Sequence, residues 1–373
     1  MSNFHAVDNH QSPVVDDIST YLICGRVLSA PPADPRTGRS VAQGIEDARA
    51  AEKLGFRRAF ISERLDIKDA GAFLGGAAAV TSRLEVGTGA LAVPSRDPRV
   101  TASLGATMHA AYGPRFILGL GRTEPQFMSY GQVTFDHLID YAEIIRRLWR
   151  GEVVDYRGPA GQFDGIALRD RYDGPPPQIW SCILGGPHAA RAAARAFDGV
   201  ILTPFLLPEA VARTVGYIRE ECERIGRDPA EVRICHPIVT APDLDDYETR
   251  LLAHARAVTY FQMPSFARAL SAFNGWDGEG LLAKFADHRQ LAGVASADQS
   301  FHRKELLGPA SLIPDSWMEQ TSALGSVQSC VATLQQFRDA GADELAFYGS
   351  TPDQNAALLD AWRQRSLPTG TRI

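Results

Sequence analysis

Four short stretches carry residue types that could do chemistry. Arg122 and Glu124 follow the apolar run Phe116-Ile117-Leu118-Gly119-Leu120-Gly121, and Glu63 and Arg64 follow Ala59-Phe60-Ile61-Ser62. A buried parallel strand delivers polar groups in this way at its carboxyl end, where α/β barrels hold their sites. Glu63 in that position is a general acid/base or a hydrogen-bond acceptor, or else one half of a salt bridge at a strand end, and Glu124 with Arg122 carries the same pair of readings. The third stretch, Val86-Gly87-Thr88-Gly89-Ala90, places two glycines in a strand. Such spacing marks a bulge, a surface against which a flat ligand presses, or crowding against a helix. The fourth, Ile183-Leu184-Gly185-Gly186-Pro187-His188, joins an apolar run to a helix. Its glycines let backbone approach a ligand, and free N–H groups at a helix start attract an anion. The alternative is a plain strand-to-helix turn.

Other chemistries lack their patterns. No GxGxxG opens a βαβ unit, no GxxxxGK[ST] occurs, and neither HExxH nor a GxSxG elbow is present. Cys24, Cys182, Cys222, Cys235 and Cys330 form no CxxC, so neither zinc nor a disulfide framework is indicated. Cys24, Cys182 and Cys235 lie in apolar runs and are read as buried small hydrophobes. His236 ends a strand run and faces either the site or the core, while His109 and His137 are read as structural.

These residues need a scaffold of alternating strands and helices. Strands are predicted over 21–27, 58–62, 84–93, 116–121, 178–184, 199–203, 232–240 and 344–348. The helices between them cover 40–54, 70–80, 98–112, 135–150, 187–197, 208–225, 326–340 and 352–363. Ser40 is a candidate cap, Gly55 a stop, and Pro98 and Pro187 helix starts. The pattern is that of an α/β (β/α)8 TIM barrel. Residues 1–18 form a loose tail and 19–373 one domain. Insertions fall near 151–177, read as a hairpin, and near 261–321, read as an irregular, aromatic-rich roof.

The chain has 373 residues, 45% hydrophobic, with 38 Lys and Arg against 44 Asp and Glu, a formal charge of −6. That balance disfavours a nucleic-acid or anionic-membrane surface. No run approaches the roughly 20 apolar residues of a membrane span, and the polar start lacks the order of a signal peptide. The cytoplasm is the expected location.

Taken together, the motifs resemble the bacterial luciferase-like flavin or deazaflavin oxidoreductases. The resemblance runs over about 21–348. It rests on Ala51-Glu52-Lys53-Leu54-Gly55-Phe56, Ile61-Ser62-Glu63, Val86-Gly87-Thr88-Gly89, Leu118-Gly119-Leu120-Gly121, Leu148-Trp149-Arg150-Gly151 and Gly185-Gly186-Pro187 with Asp198-Gly199 downstream. It implies a tricyclic ring lying across the strand ends. A bulge with a non-prolyl cis peptide backs that ring in relatives, and it maps here to Thr88, Gly89 and Ala90, with Gly121 beside them. The relatives' phosphate turn maps to Ile183, Leu184, Gly185 and Gly186, with Thr203 at the next strand end. Their acidic residues map to Glu63 and Glu124.

The sub-pattern and the arginine- and alanine-rich composition resemble the branch that uses coenzyme F420, with FMN as the alternative. The implied activity is hydride transfer between F420 and a small, partly apolar organic substrate. The alternatives are an FMN-dependent monooxygenase and a non-catalytic flavin-binding barrel. Relatives are often homodimers. One departure stands out: Arg64 occupies a position where many relatives carry histidine. Arginine cannot shuttle protons near neutral pH, because its pKa stays above about 12. The proton role is therefore vacant or passes to Glu124 or His236, and Arg64 could instead bind an anionic substrate or a reduced, anionic deazaflavin.

Overall fold

The computed structural model describes residues 12–23, 39–64, 68–123 and 131–365. Eight parallel strands close on themselves: β1 (Ile18–Tyr21), β2 (Arg58–Ile61), β3 (Glu85–Thr88), β4 (Phe116–Gly121), β5 (Gln178–Cys182), β6 (Gly199–Ile201), β7 (Arg233–Pro242) and β8 (Glu344–Tyr348). Each pairs with the next, and β8 returns to β1 with Ile18 opposite Leu345. The predicted (β/α)8 barrel is therefore the observed fold.

The helices on the outside follow from local chemistry. Helix α1 (Val41–Leu54) starts at a capping box between Ser40 and Gln43 and stops at Gly55, whose φ of 91° suits glycine. The next helices are α2 (Ala70–Ala79), α3 (Pro98–Tyr112), α4 (Phe135–Trp149), α5 (Pro187–Ala196) and α6 (Pro208–Arg224). Three of them place proline in the first turn, where a missing N–H costs nothing. Helix α4 buries Leu138, Tyr141, Ala142, Ile145, Leu148 and Trp149 on one stripe. Helices α7 (Val327–Asp339) and α8 (Ala356–Arg365) complete the ring. Among the described residues, no helix is long and apolar enough to cross a membrane.

Alternation along the strands stacks the interior in layers. At the amino-terminal end, Arg58 bridges Glu85 (2.7 Å) and Glu344 (3.1 Å), and Glu344 also accepts from Arg233 (2.6 Å) and Ser19. Above this charged plug, Phe60 and Trp180 sit 5.9 Å apart. Tyr21 and Tyr348, edge to face at 5.0 Å, form part of the next layer up. The plug thus seals one end, and the aromatic layer floors the other.

Several boundaries differ from expectation. The first strand is 18–21 rather than 21–27, because Ser19 points inward to the charged plug and hides the apolar pattern. Residues 24–38, including Cys24, lie outside the described residues. Residues 12–18 are placed: Val15 is buried and bridges Phe56, and Ile18 is fully buried. The third strand stops at Thr88, and Leu91–Ala92 then pairs separately with β4. The expected hairpin is present as Val154–Gly158 against Gly161–Ile166. The 261–321 segment is mainly helical, with preceding helices over Asp246–Leu252 and His254–Phe261 and further helices over Pro264–Asn274, Gly278–Asp287 and Asp315–Thr321. Its short helices pack on one another through Phe261, Trp276 and Trp317, the last two stacked at 4.3 Å.

Candidate active site

At the carboxyl end of the barrel lies a cavity of about 490 Å³. All eight strands or their following loops contribute to its wall: Tyr21, Glu63 and Arg64, Gly89 and Ala90, Gly121, Cys182 to Gly186, Thr203, Pro237 and Tyr348. The helices His254–Phe261 and Pro264–Asn274 roof it with Tyr260, Phe266, Ala269 and Phe273. Glu63, Arg64, Gly89, Ala90, Gly121, Ile183, Leu184, Gly185, Gly186 and Thr203 therefore face one space. Thr88 does not. It is fully buried beneath the bulge, its Oγ1 donating to the Gly119 carbonyl (2.8 Å) and accepting from the Gly119 N–H (2.9 Å). Glu124 lies outside the described residues. Cys182, expected in the core, is part-exposed on the cavity wall because its strand alternates it inward.

The bulge after β3 is tightly held. The Gly89–Ala90 peptide is cis. The Gly89 carbonyl accepts from Ser62 Oγ (2.9 Å) and from the Tyr21 hydroxyl (3.3 Å), while its N–H donates to Ile61 (2.8 Å). A Cβ at Gly89 would stand 2.4 Å from the Tyr21 hydroxyl oxygen, so only glycine allows this approach. Glu63 clamps the far side. One carboxylate oxygen accepts from the Ala92 N–H (2.8 Å) and the other from Arg96 (2.6 Å). With a fully buried side chain, Glu63 reads in this geometry as a fastener of the bulge. Arg96 was not singled out in the sequence, and nothing local signals it.

Across the cavity, Gly185 (φ 125°) and Gly186 (φ 85°) turn the chain into α5, where Gly186 supplies no side-chain cap. Its first-turn residues Pro187, His188 and Ala189 line the cavity, and the first N–H groups of a helix have no partner within it. The Thr203 Oγ1 is buried with no hydrogen-bond partner among the described residues. A glycine cradle, an uncapped helix start and an orphaned hydroxyl fit a bound anion such as a phosphate. The bulge and the apolar wall between fit a flat ring.

On the opposite wall, Arg64 meets Asp298 (Nε to Oδ2, 2.8 Å), and Asp298 also takes Arg256 (3.2 Å). Burial alone would lower the Arg64 pKa, but Asp298 holds it above its ordinary value, so this side chain is a fixed cation. Tyr260 and Tyr348 share a hydroxyl–hydroxyl bond of 3.0 Å beside it. Burial first, and then Tyr348, raises Tyr260 well above its usual pKa, so it stays protonated. Tyr348 closes a strand that the sequence shows. Arg256 and Tyr260 lie on the helix His254–Phe261, just before the expected insertion, and Asp298 and Arg303 lie within it; none carries a motif. His236 is fully buried away from the cavity, stacked 4.7 Å from Phe337, and burial lowers it to about 3. It is a core residue.

Comparison with known proteins accords with this geometry. The family model of luciferase-like monooxygenases matches residues 25–344. A phthiodiolone/phenolphthiodiolone dimycocerosates ketoreductase of Mycobacterium bovis is 26% identical over 274 residues, 70% of this chain and 68% of that protein. An F420-dependent glucose-6-phosphate dehydrogenase of Nakamurella multipartita is 32% identical over 197 residues, 48% of this chain and 58% of that protein. The solved coenzyme F420-dependent tetrahydromethanopterin reductase of Methanopyrus kandleri superposes with a TM-score of 0.70 at 18% identity, covering 93% of this chain and 97% of that one.

Proposed function

The chain belongs to the luciferase-like monooxygenase family, and from that premise we propose that it is an oxidoreductase passing a hydride between coenzyme F420 and a small organic substrate. The convergence of all eight strand tips on one cavity, with an anion cradle on one side and a bulge on another, carries this reading. The names of its F420-dependent relatives supply the choice of coenzyme.

When bound, F420 supplies a two-electron carrier, and the protein supplies placement and electrostatics. Gly185, Gly186 and Thr203 hold the phosphate through backbone N–H groups and the orphaned hydroxyl. Gly89 and Ala90 back the ring, kept in position by Tyr21, Ser62 and Glu63. Glu63 is here a positioning residue. Tyr260, kept protonated by burial, is a wall group able to hold a proton against the substrate oxygen. The aromatic roof excludes water and favours an apolar substrate body. Residues 19–373 act as one unit in this reading, with the inserted helices as its roof.

The family description favours a second reading, an FMN-dependent monooxygenase. Titration of the full chain with F420 and FMN side by side separates the two. Micromolar binding of F420 with FMN at least about tenfold weaker supports the first, each tenfold being about 1.4 kcal/mol. The reverse order supports the second.

A further inference from the structure

A hydride delivered to a substrate leaves negative charge behind, and a proton must follow it. Most polar groups on the described cavity wall are committed elsewhere. Glu63 accepts from the Ala92 N–H and Arg96, and Arg64 is a fixed cation. The Tyr21 hydroxyl and Ser62 Oγ both donate to the Gly89 carbonyl. Burial pushes the Cys182 thiol up to about 12. Tyr260 and Tyr348 differ from these. Both line the cavity, and their hydroxyls bond each other at 3.0 Å. A phenol carries one proton and both donates and accepts. Two phenols joined by one hydrogen bond spend one proton on each other and keep the second for a ligand.

The pair is held still and stands near the bulge. Tyr260 packs edge to face on Phe205 (5.3 Å) and Phe266 (5.7 Å), and Tyr348 on Tyr21 (5.0 Å). Tyr21 in turn donates to Gly89 at 3.3 Å. Strands β8, β1, β2 and β3 adjoin in that order, so one aromatic ring separates Tyr348 from the backbone that backs the coenzyme ring in the proposed function. Groups locked by packing keep their aim when a ligand arrives.

The two hydroxyls are not equivalent. Burial first, and then Tyr348, keeps Tyr260 protonated. Tyr260 is therefore the member that donates within the pair, and the Tyr348 proton is the free one. When that proton leaves, the Tyr260 O–H already points at the oxygen left behind, and the bond becomes charge-assisted, roughly twice as strong as a neutral one. The Arg256 guanidinium lies over the Tyr348 ring at 5.0 Å, held there by Asp298 at 3.2 Å. Fixed dipoles and cations placed where charge develops are what lower a barrier.

We propose that Tyr348 is the acid that protonates the substrate oxygen as hydride reaches the neighbouring carbon, that Tyr260 positions and stabilises it, and that the substrate is a carbonyl compound or the matching alcohol. This deepens the oxidoreductase reading and rests on it. In reduction, hydride from the reduced coenzyme bonds to the carbonyl carbon. The C=O π pair moves to oxygen, and oxygen takes the Tyr348 proton. The product is an alcohol, the coenzyme is left oxidised by two electrons, and Tyr348 regains a proton from water once the product leaves. Oxidation of the alcohol runs the same steps backward.

The test uses the full chain with two ketones, acetophenone and cyclohexanone. Isotope-edited difference infrared spectroscopy reads the C=O stretch of each bound ketone, with no coenzyme needed. At least one ketone shows a stretch below its value in hexane. Tyr348→Phe returns that stretch to the hexane value, while Tyr260→Phe keeps the shift. With reduced F420 bound, the single-turnover rate for the shifted ketone falls about hundredfold or more in Tyr348→Phe, the usual worth of a general acid. It falls about tenfold in Tyr260→Phe, the loss of one charge-assisted bond, with the ketone Kd unchanged. Unshifted stretches for both ketones in the unaltered protein overturn the proposal, and that measurement needs no variant to fold. A shift that persists in Tyr348→Phe also overturns it, as does a rate in that variant within about threefold of the unaltered protein, too small a loss for a missing general acid. So does F420-loaded protein that binds a shifted ketone without reducing it. A shift lost in Tyr348→Phe with no F420 binding leaves Tyr348 standing as the donor to the carbonyl and removes the coenzyme reading. F420 binding with unshifted or unbound ketones does the reverse.

Discussion

The phosphate cradle can be tested at one atom. Gly186 has φ 85° and ψ 167°, a region open to glycine and costly for other residues. Space is not the obstacle, since a Cβ would meet the Phe273 ring at 3.4 Å, ordinary contact. Gly186→Ala therefore costs about 1–3 kcal/mol through the backbone alone. Gly186→Asp adds a carboxylate at the mouth of the cradle. Two like charges about 4 Å apart near a protein surface repel by about 4 kcal/mol. Rotation toward solvent reduces this to about 3 kcal/mol, which corresponds to roughly a hundredfold loss of coenzyme affinity. The assay is a fluorescence titration of F420 at low salt, with thermal unfolding alongside to report the backbone cost. Gly186→Ala is expected to lower Tm with a loss of affinity of tenfold or less, as about 1.4 kcal/mol allows. Gly186→Asp is expected to lower Tm similarly and to bind far more weakly, with part of the loss recovered as salt rises. If the aspartate variant binds within about threefold of the unaltered protein, a difference under 1 kcal/mol, the turn before α5 is not the anion site.

Two further outcomes follow from buried groups. Glu63→Gln leaves Arg96 with Asp69 (3.0 Å) as its remaining carboxylate partner, so stability falls by about 2–3 kcal/mol. Denaturant unfolding measures this, and an unchanged midpoint would show that Glu63 does not fasten the bulge. His236 is fully buried, and burial holds it at about 3 against an ordinary value of 6.5. The folded chain keeps the ring neutral while the unfolded chain takes up the proton, so stability is complete above about pH 6.5 and declines as pH falls toward 3, by up to about 1.4 kcal/mol per unit. His236→Leu should flatten the stability–pH slope in that window, and an identical slope in both proteins would refute the assignment.

The barrel was legible because its strands are short apolar runs bounded by glycine or polar tips, as in 116–121. It was least legible where the interior is polar. Ser19 and Glu344 face inward to the charged plug at the bottom, and the inward serine displaced the first strand in the reading. The glycine-rich turn at Gly185 and Gly186 was readable because backbone geometry there demands glycine. The position of Glu63 was readable as well, but its partners were not. Arg96 lies beyond the bulge, and nothing in the order of residues places the Ala92 N–H against the carboxylate.

The substitution at Arg64 shows why one residue type cannot be read alone. A guanidinium in place of an imidazole removes a proton shuttle, and by itself that points equally to lost catalysis or to a new ligand. The fold supplies the missing term. Arg256 comes from the helix His254–Phe261 and Asp298 and Arg303 from the segment after it, all distant in sequence from Arg64, and only the fold brings them to it. A residue that merely filled the histidine's space would need one counter-ion, which Asp298 provides. Asp298 holds Arg64 as a fixed cation on the cavity wall, so this position presents charge there without a titratable proton.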